Sequence, residues 1–102
     1  MMRSPIPPAI REQLADDPWM SKCALKDYNC DGRIEWHHAF KYAGKRQNFL
    51  WALIPLCKSH HAGEAIFLQD INRLVRKRIK HFHAEEDFRA KFPHSTLLPK
   101  TI

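Results

Sequence analysis

Two adjacent histidine pairs stand about twenty residues apart in this chain, His37–His38 in "EWHHAF" and His60–His61 in "LCKSHHAG". Imidazole titrates near neutral pH, so it can serve as a metal ligand or as a base. The second pair overlaps a C-x-x-H spacing, Cys57 to His60. Two intervening residues let a tight knuckle aim both donors at one ion. Cys23 and Cys30 can supply two further thiolates, giving three sulfurs and one imidazole. That composition suits a structural zinc, because thiolates are soft ligands and four donors close a tetrahedron. Six residues separate Cys23 from Cys30, more than the two to four of a usual knuckle, so a loop is expected there. The alternative is three buried free thiols, since Cys is among the most buried residue types.

If His60 is used by zinc, His37, His38 and His61 remain. Two imidazoles can hold a metal while a third takes a proton. Phosphodiester hydrolysis needs those parts: a cation to offset charge on the phosphate and leaving oxygen, and a neutral imidazole to deprotonate water. An ordinary histidine pKa of about 6.5 fits the second task.

These side chains need a scaffold. Pro5, Pro7 and Pro8 predict an extended arm, with Pro8 able to open a helix. "AIREQLADD" is long enough for two helical turns and Pro18 ends it. "DYNCDG" has turn composition. "RIEWHH" alternates polar and apolar residues and reads as a strand. "AFKYAGKRQN" reads as a loop or a short helical turn. "FLWALIPLC" is continuously apolar and reads as a buried strand, with Pro55 at a bulge or an edge. The two strands would form a hairpin that brings the histidine pairs together, with Trp36, Phe49 and Trp51 as core.

Phe67, Ile71, Leu74, Val75, Ile79 and Phe82 then recur at helical spacing. "AEEDFRAKF" reads as a second short helix stopped by Pro93, and "HSTLLPKTI" as a loose tail. The expected divisions are a Pro-rich arm with a short helix at 1–18, a zinc-braced domain at 19–92 and a tail at 93–102.

Composition narrows the function classes. One hundred and two residues make one domain, and 44% hydrophobic content allows only a small core, of the kind a metal often braces. Three cysteines argue against a closed disulfide framework. No run is apolar enough for a signal peptide or a membrane span, so an intracellular, cytoplasmic protein with reduced thiols and no membrane partner is expected. A net charge of +6 and a pI near 9.5 favour a polyanionic partner or an acidic protein surface. The helix "RLVRKRIKHFH" holds Arg73, Arg76, Lys77, Arg78 and Lys80 with no acid among them. It could line a DNA backbone or an acidic protein patch; the plain alternative is a solvated amphipathic face.

"RIEWHHAF", an apolar strand, "LCKSHH" and a helix together resemble the HNH, or ββα-metal (His-Me finger), endonucleases over roughly residues 20–75. The resemblance implies an α+β fold: a small zinc-stabilised hairpin-plus-helix domain with an N-terminal arm and a basic C-terminal helix. It implies a structural zinc on Cys23, Cys30, Cys57 and His60. It makes His37 and His61 ligands of a catalytic divalent metal (Mg²⁺, Mn²⁺, Ni²⁺ or Zn²⁺), His38 the general base, and DNA the substrate. The family's middle Asn would fall near Trp51 or Ala52, so Asn48 can orient the base only if its loop is shaped differently. Four residues beyond His61 stands Ala65, where a further ligand would be expected. Glu35 and Glu64 flank the histidines, as imidazole-orienting acceptors or as plain surface carboxylates. An overall likeness, carried by no separable motif, connects the chain to the second anti-RecBCD protein of lambdoid phages. That likeness implies a non-catalytic phage protein that docks on the host recombination nuclease RecBCD.

Overall fold

The computed structural model describes residues 6–26 and 30–98. The first five residues of the expected arm, Asp27–Asn29 of "DYNCDG" and the last four tail residues lie outside them.

The first strand, β1 (Ile34–His38), pairs antiparallel with β4 (Leu53–Cys57), placing Ile34 opposite Cys57 and His38 opposite Leu53. The apolar run that was expected to be one strand divides. Leu50–Ala52 form a 3-10 turn and only Leu53–Cys57 are extended. Pro55 fits because its carbonyl accepts from Ala24 N–H on the outer side of β4. Its missing N–H is therefore also turned away from β1.

The segment between the two strands is neither a plain loop nor a helical turn. It contains a miniature hairpin, β2 (Lys41–Tyr42) against β3 (Lys45–Arg46). Ala43 and Gly44 at its tip both have positive φ, 53° and 78°. That is the geometry of a two-residue primed turn, whose twist matches the flanking strands. Tyr42 anchors the hairpin edge-on against Phe92, 4.8 Å between ring centroids.

Both faces of β4 are covered, and all five of its residues are buried. On one face, Ile54 and Leu56 meet Ile71, Val75 and Ile79 of α3 (Leu68–His81) and Phe88 of α4 (Glu85–Lys91). Phe40, Trp51, Phe88 and Phe92 form an aromatic knot in this core, with Phe40–Trp51 at 5.3 Å and Phe40–Phe88 at 5.2 Å. On the other face, Leu53 joins Leu14 of α1 (Pro8–Ala15) and Met20. Pro8 does occupy the first helical position. In α4 the acids Glu85, Glu86 and Asp87 fill the first turn and Arg89 and Lys91 the last, as the helix dipole favours. The result is an α+β body, and no helix among the described residues is long and apolar enough to cross a membrane.

The basic helix needs one correction. Arg73, Lys77 and Lys80 are exposed and Arg76 is half-buried, but Arg78, expected on the solvated side, is turned inward and only 6% exposed. Its guanidinium donates to Asp17 Oδ2 at 2.6 Å and lies 4.2 Å from the ring centre of Trp19. Burial works against charge on Asp17, yet Arg78 and the Trp19 N–H together hold its carboxyl below the usual 3.8. The pair ties Asp17, the cap of the 3-10 turn Pro18–Ser21 that follows α1, to α3. Arg78→Ala should cost about 3 kcal/mol in urea unfolding of the metal-loaded protein, because it strands a partly buried carboxylate. Asp17 is the group with the depressed folded pKa. At neutral pH, above the usual 3.8, this contribution is fully present.

Candidate functional site

The thiols and His60 meet where β4 runs into a short helix, α2 (Lys58–Ala62). Cys57 caps that helix, and His60 N–H points at Cys57 Sγ at 3.5 Å, so the C-x-x-H knuckle closes on itself. Cys23 is brought in by the Ala24–Pro55 bond. Cys30 is brought in by the 31–33 loop, since Ser59 N–H donates to Asp31 and Lys58 N–H to Arg33. Gly32 makes that approach possible. Its φ is +83°, and a Cβ there would sit 2.7 Å from Lys58 Cβ.

His60 Nδ1 lies 3.4 Å from Cys23 Sγ, 3.5 Å from Cys30 Sγ and 3.1 Å from Cys57 Sγ. One ring nitrogen can share one proton, so hydrogen bonding alone does not account for three sulfurs converging on it. A tetrahedral zinc with bonds of about 2.3 Å to sulfur and 2.0 Å to nitrogen spaces its donors about 3.5–3.8 Å apart. The cluster is close to that spacing, and the four residues are positioned to bind a metal, as a structural zinc requires. Burial disfavours charge on Cys57, but the N–H groups of His60 and Asp31, the His60 ring and Cys30 bring its thiol down to about 6. Burial is the leading influence on Cys23 and pushes that thiol up to about 11. Metal uptake at neutral pH must then displace a proton from Cys23 above all.

The other histidines gather beside this centre. His37 Nδ1 is 3.0 Å from Glu64 Oε2, and His61 Nε2 is 3.5 Å from the same oxygen. The two rings are 5.0 Å apart. One donor atom from each of His37, His61 and Glu64 lies within 4.8 Å of the others, a second group able to hold a cation. Glu64 is a possible donor that counting four residues from His61 does not reach. The chain breaks at Gly63 and continues as a 3-10 turn, Glu64–Phe67, so a residue three positions on comes round instead of Ala65. Glu35 is not a plain surface carboxylate either. It accepts from His61 Nδ1 at 2.8 Å, which leaves Nε2 facing Glu64. Contact with His61 and Arg33 holds the Glu35 carboxyl below its usual range. Burial leads in pushing His37 below its usual range, against the Glu64 carboxylate, and so favours the neutral ring.

His38 is held separately. Its Nε2 donates to Asn48 Oδ1 at 2.9 Å, which leaves Nδ1 with a lone pair. Asn48 reaches it because the β2–β3 hairpin folds the chain back, with Gln47 N–H on Phe40 O. Trp51 and Ala52 are buried in the core, away from this contact.

Glu35 and His37 point to one face of β1 and Trp36 and His38 to the other. All four line one cleft of about 770 Å³. They can do so because β1 has a partner strand on one side only. The cations expected on α3 do not border this cleft. No family model matches the chain, nor does any curated protein or solved structure.

Proposed function

We propose that the chain is an HNH-type endonuclease that hydrolyses DNA phosphodiester bonds, on a ββα-metal hairpin braced by zinc at Cys23, Cys30, Cys57 and His60. The reading rests chiefly on one observation. An imidazole with its tautomer fixed by an amide oxygen, His38 with Asn48, borders the same cleft as a two-histidine, one-carboxylate group.

His37, His61 and Glu64 would hold a divalent cation, which supplies positive charge to the scissile phosphate and the leaving oxygen. Two imidazoles favour Ni²⁺ or Zn²⁺ over Mg²⁺ and Mn²⁺, which prefer oxygen. His38 Nδ1 takes a proton from the attacking water as its oxygen bonds to phosphorus. The P–O bond to the leaving sugar oxygen breaks, and that oxygen takes a proton from solvent. Asn48 keeps the His38 proton on Nε2 and so keeps Nδ1 available. Glu35 orients His61 through Nδ1.

Glu64→Ala tests the reading at its least expected member. The metal concentration giving half-maximal cutting should rise on the order of tenfold or more, with recovery in excess metal. Zinc content should stay at the wild-type level. An unchanged half-saturation would remove Glu64 from the site and leave the histidine pair without its carboxylate.

A further inference from the structure

The cleft is bordered by four cations from three separate parts of the fold: Arg11 from α1, Arg33 from the loop before β1, and Lys41 and Arg46 from the β2–β3 hairpin. Arg33 is engaged by Glu35 at 3.3 Å. Among the described residues no carboxylate pairs with Arg11, Lys41 or Arg46.

Lys41 and Arg46 stand directly opposite each other across the hairpin, and both are exposed. Like charges in that position cost a two-stranded sheet stability. Ala43 adds a second local cost, since its φ of 53° disfavours any residue with a Cβ. Among the described residues, Tyr42 ties the hairpin to the core rings. A small element that keeps a like-charge pair and a strained turn is suited to an external anion that relieves the repulsion.

Resting on the nuclease reading above, we infer that the β2–β3 hairpin and Arg11 form the DNA-binding rim of the cleft, gripping the sugar–phosphate backbone independently of sequence. The exposed cations of α3 are secondary to this rim. The lining leaves little for base readout. Among its described residues there is no Asn or Gln to read an adenine edge, the two carboxylates are taken up by His61, Arg33 and His37, and only the arginines could read a base, at guanine. Arg11 also lies over Trp36, 5.9 Å from the ring centre, so that ring is not an open platform for a base. Phosphate contacts fix position and carry no sequence information.

The test is fluorescence anisotropy with two duplexes of unrelated sequence, on zinc-loaded protein carrying His38→Ala so that nothing is cut. Lys41→Glu with Arg46→Glu should weaken binding at least about tenfold on both duplexes and lower the log–log salt slope by roughly 2. Lys77→Glu with Lys80→Glu should change affinity by less than about threefold. Lys41→Glu alone turns the repulsive pair into an attractive one. It should melt no lower than the parent and still weaken binding, which separates the rim's role from a folding defect.

The inference is overturned if the α3 variant loses as much as the hairpin variant, or if the hairpin variant binds as the parent does. A difference of about tenfold between the duplexes would overturn sequence independence. Tighter binding of polyglutamate than of duplex would assign the rim to acidic proteins instead. The two readings fail separately. Wild type that never cuts, with the rim results as expected, removes the enzyme and keeps the rim. Cutting that depends on His38, with the hairpin variant binding normally, removes only the rim.

Discussion

Cys57→Ser should release bound zinc and unfold the β1–β4 hairpin. A structural zinc contributes on the order of 10 kcal/mol in small metal-dependent folds. That is as large as the whole stability of a typical domain, about 5–15 kcal/mol. Cys57 is the most consequential of the four positioned donors. It is at once a possible ligand, the cap of α2 and the residue paired with Ile34, so its loss loosens strand and helix together. Elemental analysis should find one zinc per chain in wild type and none in the variant. Circular dichroism should show the variant without a cooperative melt, and a strong chelator should do the same to wild type. Zinc affinity should fall as the pH drops, most steeply below about 6, where even the Cys57 thiolate is protonated. Purified protein without metal, together with a variant that melts like wild type, would remove zinc from the account.

His38→Ala should slow DNA cutting by about a hundredfold or more while the melting temperature barely moves. The ring is half-buried, its hydrogen bond among the described residues is to Asn48, and it belongs to neither group that could hold a metal. Asn48→Ala should lower the rate less, because the base remains and only its tautomer and orientation are released. A merely structural His38–Asn48 pair gives the opposite pattern: both variants lose stability and neither changes the rate of the folded protein.

Much of this arrangement is legible in the residues themselves. The Cys57–His60 spacing is local, so the knuckle follows from sequence alone. The apolar stripe Ile71, Val75 and Ile79 likewise fixes the buried face of α3. The charge of Arg78 suggests solvent, but its place decides against it. It stands seven residues after Ile71 and four before Phe82, on the stripe itself, and Asp17 that neutralises it is 61 positions away. Glu64 was hidden by assuming one continuous helix; the break at Gly63 changes the count from four to three. Asn48 stands off the family's spacing, and residues 39–48, which read as a loop or a short helical turn, do not reveal how it returns to His38. Their hairpin shortens the path in space, a long-range consequence of Tyr42 and Phe40 meeting Phe92. The cation rim draws on three segments and has no sequence spacing of its own.

The most direct test is incubation of zinc-loaded wild type with supercoiled plasmid DNA, with Mg²⁺, Mn²⁺, Ni²⁺ or Zn²⁺ added in turn and His38→Ala in parallel. The account predicts nicked and then linear DNA with at least one of these metals, strongest with an imidazole-preferring ion, none without added metal, and little with the variant. Plasmid left intact by wild type under every metal, or cut equally well by His38→Ala, would contradict it.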